Sequence, residues 1–405
     1  MNIVLVEPSF PQNQRRFAQA LAGVGANVVG VGEASESELG EELRGQLVAY
    51  YQVSNVTDVA QLNAAVEWAQ NLMWIDGLES TIESHQMAAA QVREARGIPG
   101  TSVRTTWLCR DKPSMKEALR QAGVPTAAST AAHTADDVVA FANAIGFPLI
   151  LKPRAGAGAQ GTVRVDSMTE LQAALAGFGS AESIAVEEFV EGHEGFYDTI
   201  TIGGQVAHDW MTHYYPNVLE AMRHRWISPQ FVTTNRIEDS SSYAEVRELG
   251  SRVIEALGIP TSATHMEWFY GRKGLRFSEI GCRPPGVGAW DLYSAANDVD
   301  VYREWAHAIV HGSPENAMSR QYSAGIVALR PEQDGQIHGY SGLEEINGRH
   351  GAWIIDAHLP DPGTPTQPVD AGYMANAYIR MRHPDYDTLR GMLDDCGRTV
   401  RVHAG

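Results

Sequence analysis

Cysteine is scarce: Cys109, Cys282 and Cys396 are the only three in 405 residues. They lie far apart, which leaves neither a disulfide framework nor a CxxC metal site. Positive charge is also in deficit. Lysine and arginine total 31 against 49 acidic residues, a formal net charge of −18. With no basic stripe either, nucleic acid is not expected as the main partner. No apolar run approaches the roughly 20 residues that span a bilayer. The opening MNIVLVEPSF lacks a basic leader and a cleavage site. A soluble, cytoplasmic protein with no membrane partner is expected. Repeats and low-complexity segments are missing too. What remains is a globular profile, 44% hydrophobic and 20% charged, long enough for about two to four domains.

Of what is present, Thr264–Gly288 (THMEWFYGRKGLRFSEIGCRPPGVG) is the most informative stretch. It reads as two strands, Thr264–Gly271 and Leu275–Gly281, joined by Arg272-Lys273-Gly274. A three-residue loop ending in a left-handed glycine fits Gly274. Pairing Gly271 with Leu275 then sets Phe269 opposite Phe277 and Glu267 opposite Glu279. Side chains alternate faces along a strand, so both carboxylates share one face, with Cβ atoms about 5 Å apart. Facing like charges destabilise a sheet unless a cation lies between them, and oxygen ligands suit magnesium. Arg283 follows in a stretch whose prolines and glycines forbid regular structure. A guanidinium there can stabilise charge building on transferring phosphoryl or acyl oxygens. The same stretch also suits an exposed hairpin with solvated charges.

The chain opens with a β-loop-α-β pattern: an apolar run Asn2–Glu7, a helix Arg15–Val24 and an apolar strand Asn27–Gly32. Continuous apolar strands belong to buried parallel sheets, where ligands gather at the strand carboxyl ends. No dinucleotide fingerprint is present there, so a substrate-side or scaffold domain is expected. Helices Val59–Leu72 and Ile82–Glu94 follow, with a boundary near Cys109–Asp111. Asp111-Lys112-Pro113 caps a helix over Ser114–Ala122, and Asp136–Ile145 gives another. A strand Phe147–Pro153 delivers Lys152, followed by Gly156-x-Gly158-x-x-Gly161. Because Thr162–Asp166 alternates like a strand, the glycines sit in a strand–loop–strand. That arrangement suits backbone N–H groups folded over a polyphosphate, and a plain glycine-rich hairpin is the other reading. Ser183–Val190 is a strand ending in Glu191-Gly192-His193-Glu194, with strands Phe196–Ile202 and Gln205–Asp209 beyond. Trp210–Pro229, aromatic and rich in His and Arg, is expected as a long functional loop. A helix Tyr243–Leu257 precedes the hairpin and a helix Tyr302–Val310 follows it. Strands Ala324–Leu329, Ala352–His358 and Ala375–Arg382 and a helix Tyr386–Cys396 complete the chain.

Four of these pieces in order resemble the ATP-grasp superfamily: Asp111-Lys112, the Lys152 strand with its glycine loop, Glu187-Glu-Phe-Val-Glu-Gly-His-Glu194, and Glu267 with Glu279-x-Gly-x-Arg283. The resemblance covers roughly residues 1–312. It implies an α/β and α+β, ATP-grasp fold. Residues 1–110 would form an open α/β domain, 111–312 the ATP-grasp domain and 313–405 a small β-rich C-terminal domain. A lid would run over about 125–186 and a catalytic part over about 187–312. By position, Lys112 and Lys152 resemble the lysines that bind ATP phosphates, and Gly156, Gly158 and Gly161 the closing lid. Glu187, Phe189 and Val190 resemble the adenine hinge, and Glu194 the acid that holds the ribose. Glu267 and Glu279 match magnesium ligands and Arg283 the catalytic arginine, with Lys152 assisting. Many members carry Asn where this chain has Gly281, leaving one ion or two open. The cofactors implied are ATP and Mg2+, for which Mn2+ could substitute.

The implied chemistry is ATP-driven activation of a carboxylate as an acyl phosphate, captured by an amine. The form EIGxRPPGxG looks most like the L-amino-acid ligase and carnosine synthase branch. That suggests an amide, dipeptide-like product with an amino acid as one substrate. Small-molecule carboxylate and amine partners follow, and a homodimer is compatible with them. His213, Arg223 and Arg225 in the long loop, with Gly286 and Gly288, are the candidate substrate contacts. His193, His208 and His265 show no ligand spacing, although the register sets His265 on the metal-facing side. A biotin carboxylase-like enzyme and a nucleotide-binding regulator without turnover are the competing readings.

Overall fold

The computed structural model describes the chain except residues 155–160, 177–183, 240 and 372–375 and the side chain of Asp370. Gly156 and Gly158 therefore lie outside the described residues. At the N-terminus, strands β1 (Asn2–Val6), β2 (Asn27–Gly32), β3 (Ala49–Gln52) and β4 (Gly77–Glu79) form a parallel sheet in the order β3-β2-β1-β4. Strand β1 sends Ile3 and Leu5 into one core with helices α1 (Gln14–Gly23) and α2 (Gly40–Gln46). Its Val4 and Val6 enter another, with α3 (Val59–Leu72) and α4 (Gln86–Arg96). Burial on both faces is why the strand reads as an unbroken apolar run.

Helices α5 (Val103–Leu108) and α6 (Lys112–Gln121) lead out of this layer. Asp111 caps α6, accepting the Ser114 N–H at 3.1 Å, and Pro113 sits in the first turn where its missing N–H costs nothing. Next comes a four-stranded antiparallel sheet ordered β5-β8-β6-β7: β5 (Ser129–Ala132), β6 (Leu149–Pro153), β7 (Val163–Val165) and β8 (Ile184–Glu188). Helices α7 (Ala135–Ile145) and α8 (Met168–Leu175) cover one face, taking Leu149, Leu151, Val165 and Val186 into their core. Alternation leaves Lys152 and Glu187 on the other face.

The largest element is an eight-stranded antiparallel sheet, order β13-β12-β9-β10-β11-β14-β17-β16. Strands β9 (His193–Ile202), β10 (Gln205–Tyr215) and β11 (Gln230–Thr234) precede the hairpin β12 (Ser262–Gly271) and β13 (Gly274–Gly281). Between β10 and β11 lies the short helix α9 (Val218–Ala221), and α10 (Ser241–Leu257) precedes β12. Strands β14 (Ser323–Leu329), β16 (Ile354–His358) and β17 (Ala377–His383) continue the same sheet, while β15 (Ile337–Ser341) pairs with β18 (Arg401–Ala404). Three of the strands after residue 312, β14, β16 and β17, thus extend the large sheet, and β15 and β18 form a pair of their own. Helix α10 packs on one face with α6. Helices α11 (Ala289–Asn297) and α12 (Val301–His311) pack on the other, against Phe196, Trp210 and Phe231. Helices α13 (Leu343–His350) and α14 (Tyr386–Thr399) cover the C-terminal strands.

Three departures from the sequence reading matter. Trp210–Tyr215 is not loop but the second half of β10, paired with both neighbours. Helix α11 and strand β11 had no assignment. The hairpin closes through a two-residue loop, with Gly271 paired to Gly274, yet Glu267 still faces Glu279 because a bulge falls between them and Trp268/Phe277.

Candidate active site

The bulge explains the hairpin's chemistry. Leu275, Phe277 and Ile280 all enter the core, a spacing that alternation alone would break. One extra residue, Ser278, restores it and turns Glu279 to the face shared with Glu267. Across the sheet, His265 pairs with Asp198 and Glu267 with Phe196, so that face also carries Asp198. His265 Nδ1 lies 2.7 Å from Asp198, whose other oxygen accepts the Tyr293 hydroxyl at 2.5 Å. His265 Nε2 stands 3.8 Å from Glu267. Although burial opposes it, Asp198 raises the His265 pKa to about 9, so a cation already sits beside the carboxylates.

Lys112, in the first turn of α6, reaches Glu279 at 3.3 Å. Burial raises the Glu279 pKa, but Lys112 and Lys152 outweigh it and hold the carboxyl below its ordinary value. From the four-stranded sheet, Lys152 reaches Glu187 at 2.9 Å. Lys116, one turn beyond Lys112 on the same helix, meets the same Glu187 oxygen at 2.6 Å. Glu187 is held at about 2 against the effect of its burial, because two ammonium groups flank it. Burial lowers Lys116 to about 8, with Glu187 opposing that shift. The other Glu187 oxygen is buried and has no hydrogen-bond partner among the described residues. An unmatched buried acceptor costs about 1–3 kcal/mol, and the exocyclic amine of an adenine is a donor of the right kind. That acceptor is the structural test the ATP expectation meets. Glu194 is buried and accepts the Val218 N–H at 2.7 Å; burial and the Glu267 charge push its pKa up to about 8.

Arg283 leaves β13 and donates through Nε to Glu83 at 2.8 Å and through a terminal nitrogen to the Pro284 carbonyl at 2.9 Å. Glu83 belongs to the N-terminal layer, just before α4. A Cβ on Gly281 would stand 3.1 Å from the Glu83 carboxylate, so Glu83 fills the space an Asn would take at that position. Glu83, Lys112, His265, Glu279, Gly281 and Arg283 line one cleft. Among the described residues no group of three or more His, Cys, Asp or Glu is arranged to hold a metal. Two facing carboxylates completed by phosphate oxygens and water suit magnesium, which keeps much of its hydration.

The remaining expected site residues divide. Gly161 has φ +68, the left-handed conformation. The Phe189 N–H is taken by the Pro148 carbonyl at 3.1 Å, and its ring lies under Arg164; Val190 continues the half-buried hinge beside it. Gly288 caps α11 at φ +70, and a side chain there would overlap the Arg380 guanidinium. Gly286 accepts the Ala289 N–H. His213 is not in the cleft. It projects to the α10 face, bonded to Tyr243 and His193 at 2.8 Å each, and burial lowers its pKa to about 3. Arg225 is committed to the C-terminal part, donating to Asp334 at 2.6 Å and to the Pro331 carbonyl, and Arg223 is exposed. With β10 extended to Tyr215, His213 faces away from the carboxylates, Arg225 is engaged by Asp334 and Pro331, and the loop that carries Arg223 starts later.

Sequence reasoning missed Lys116 and Glu83. Lys116 carried a signal, since Lys112 and Lys116 at i,i+4 share a helix face. Glu83 carried none, because only the fold brings it to Arg283.

A cleft lined by lysine and arginine, with a facing carboxylate pair beside it, is the arrangement the ATP-grasp expectation requires. The family model for the ATP-grasp domain matches residues 117–298, so the chain carries an ATP-grasp domain over that span. It is 24% identical over 304 residues to an L-arginine-specific L-amino acid ligase of Bacillus subtilis, covering 73% of this chain and 72% of that one. An alanine–anticapsin ligase of Bacillus subtilis strain 168 is 26% identical over 47% of this chain and 44% of its own length. Among solved structures, an L-amino acid ligase from Bacillus licheniformis aligns over 100% of this chain and 98% of its own, with TM-score 0.79 at 18% identity. A phosphoribosylglycinamide synthetase from Anaerococcus prevotii also aligns over 100% of this chain and 99% of its own, with TM-score 0.72 and 12% identity. No helix among the described residues is long and apolar enough to cross a membrane.

Proposed function

We propose that this ATP-grasp ligase joins the carboxylate of an amino acid to an amine, giving a dipeptide-like amide with ADP and phosphate. The observation that carries the reading is one cleft lined by Lys112, Glu279 and Arg283, with Glu267 facing Glu279 on the hairpin and Lys152, paired to Glu187, close enough for its charge to lower the Glu279 pKa. Glu187 offers its unpaired oxygen to the adenine amine and Glu194 its carboxyl to the ribose. Lys112 and Lys152 offset phosphate charge and orient the chain. Magnesium, held by Glu267 and Glu279 when bound, would neutralise the triphosphate and polarise the transferring phosphoryl group. A carboxylate oxygen attacks the γ-phosphorus and ADP leaves; the amine then displaces phosphate from the acyl phosphate. Arg283, steadied by Glu83, faces the oxyanion that forms in the second step. A cytoplasmic setting fits an enzyme using ATP and free amino acids.

The test is phosphate release from purified protein with ATP, magnesium and paired amino acids. Release that needs both a carboxylate and an amine substrate is expected. The biotin carboxylase domain of a 2-oxoglutarate carboxylase is a structural neighbour, with TM-score 0.67. Release that needs bicarbonate and biotin and ignores amino acids would move the chain to that chemistry. Tight ATP binding with no turnover on any pair would make it a regulator.

A further inference from the structure

Two of the three cysteines meet. Cys109 and Cys282 are 173 positions apart in sequence, both buried, with sulfurs 2.9 Å apart. Their positions are not neutral to the chemistry. Cys282 lies between Gly281 and Arg283 at the end of β13. Cys109 ends α5, immediately before Arg110, the cap Asp111 and Lys112. One side of the pair thus carries the residue that opposes Glu83, and the other the residue that opposes Glu279. Cys109 is nearly covered but belongs to the cleft lining, the side from which a small reagent would approach it. Cys396 is different: it is fully buried on the inner face of α14 and contacts the Met381 sulfur at 3.7 Å.

We infer that Cys109 and Cys282 form an oxidative modification site, closing to a reversible disulfide that throttles the ligase. The oxidant is of the peroxide class. The Cys109 thiolate attacks one peroxide oxygen, the O–O bond breaks, and the leaving oxygen departs as water or alcohol, giving a sulfenic acid. The Cys282 sulfur then displaces hydroxide, which leaves as a second water with the remaining thiol proton. Two thiols are oxidised by two electrons and one peroxide is reduced. A dithiol reverses the step by exchange. The hydrogen bond from Cys282, together with burial, holds the Cys109 thiol well above its ordinary pKa. Thiolate is scarce in consequence, and the pair responds to sustained rather than brief oxidation. Drawing the sulfurs to the bonded distance of about 2.05 Å pulls the α5–α6 junction against the end of β13. That displaces Lys112 and Arg283 relative to each other.

The inference rests on the cleft being the reaction site, but its chemical half is tested without turnover. Purified protein is treated with hydrogen peroxide, and a non-reducing peptide map is made. The expected result is a Cys109–Cys282 cross-link, a rise in melting temperature, and unmodified Cys396. ATP-dependent phosphate release should fall about 10- to 100-fold, as expected for misplacing site groups by up to 1 Å, and return with dithiothreitol. Cys282→Ala should keep its activity through the same treatment, and Cys109→Ser provides a second variant lacking the pair. Peroxide-treated protein without the cross-link overturns the site. Cross-linked protein with full turnover, or equal inactivation of Cys282→Ala, overturns the control of activity.

Discussion

Glu279 faces Glu267 across the hairpin and Lys112 across the cleft. Glu279→Gln should nearly abolish phosphate release, and because it leaves Lys112 without its carboxylate it should lower the melting temperature with the fold retained. Wild-type turnover under saturating ATP and magnesium would refute the metal role. Glu194 gives a pH test. Its pKa is about 8 in the fold against the ordinary carboxyl value of 4.5. Between those values the folded state binds more protons than the unfolded one, so this group's contribution to stability falls as pH rises from about 4.5 to 8. Glu194→Gln mimics the protonated form. Its melting temperature should match wild type near pH 4 and exceed it by about a few degrees at pH 8, without nucleotide; an equal difference at both ends would contradict the assignment. Lys116→Met leaves Glu187 to Lys152 alone and should raise the KM for ATP about tenfold. Measuring kcat alongside separates binding from chemistry.

At the scale of elements, the hairpin shows how much the sequence carried. The pairing of Glu267 with Glu279 was legible, as were the strand that delivers Lys152 and the cap at Asp111. The route to that pairing was misread: the loop is one residue shorter and the bulge makes up the difference. The signal lay in the apolar spacing 275, 277, 280, which only a bulge keeps on one face. Deleting Ser278 should therefore leave a regular strand with Glu279 still opposite Glu267 and Ile280 still in the core. A folded variant that keeps measurable phosphate release is expected, and Ser278→Ala should stay within about 0.5 kcal/mol. Unfolding or complete loss of activity in the deletion variant would show that the register is set elsewhere. The loop after β10 was less legible, because its aromatic residues suit a half-buried strand as well as a binding loop. Its arginines now carry a different expectation. Arg225 pairs with a largely exposed Asp334, so Arg225→Ala should leave the KM for the carboxylate substrate unchanged and cost about 0–1 kcal/mol of stability. A rise in that KM would return Arg225 to the site.

Across the whole molecule, the site is assembled from three layers, and the contact that joins them was invisible in the sequence. Glu83 and Arg283 are 200 positions apart, and neither carries a local pattern naming the other. Chemistry that passes through an acyl phosphate needs a donor fixed where the oxyanion forms, and a guanidinium on a proline- and glycine-rich turn is not fixed by its own backbone. Glu83 supplies the fixation from the N-terminal layer, in the space left by Gly281. Arg283→Lys keeps the charge but loses the planar fork, and should lose about 100-fold or more in kcat with little change in ATP affinity. Glu83→Ala should lose less, since the arginine remains but its orientation is free. If Glu83 acts only by steadying Arg283, the double variant should be no slower than Arg283→Lys alone, the non-additivity expected of residues acting as a unit. Full additivity in kcat would mean that Glu83 contacts the reacting groups in its own right. In each variant the nucleotide product should remain ADP with phosphate, not AMP with pyrophosphate, because these changes weaken the acyl-transfer step without altering which phosphorus is attacked.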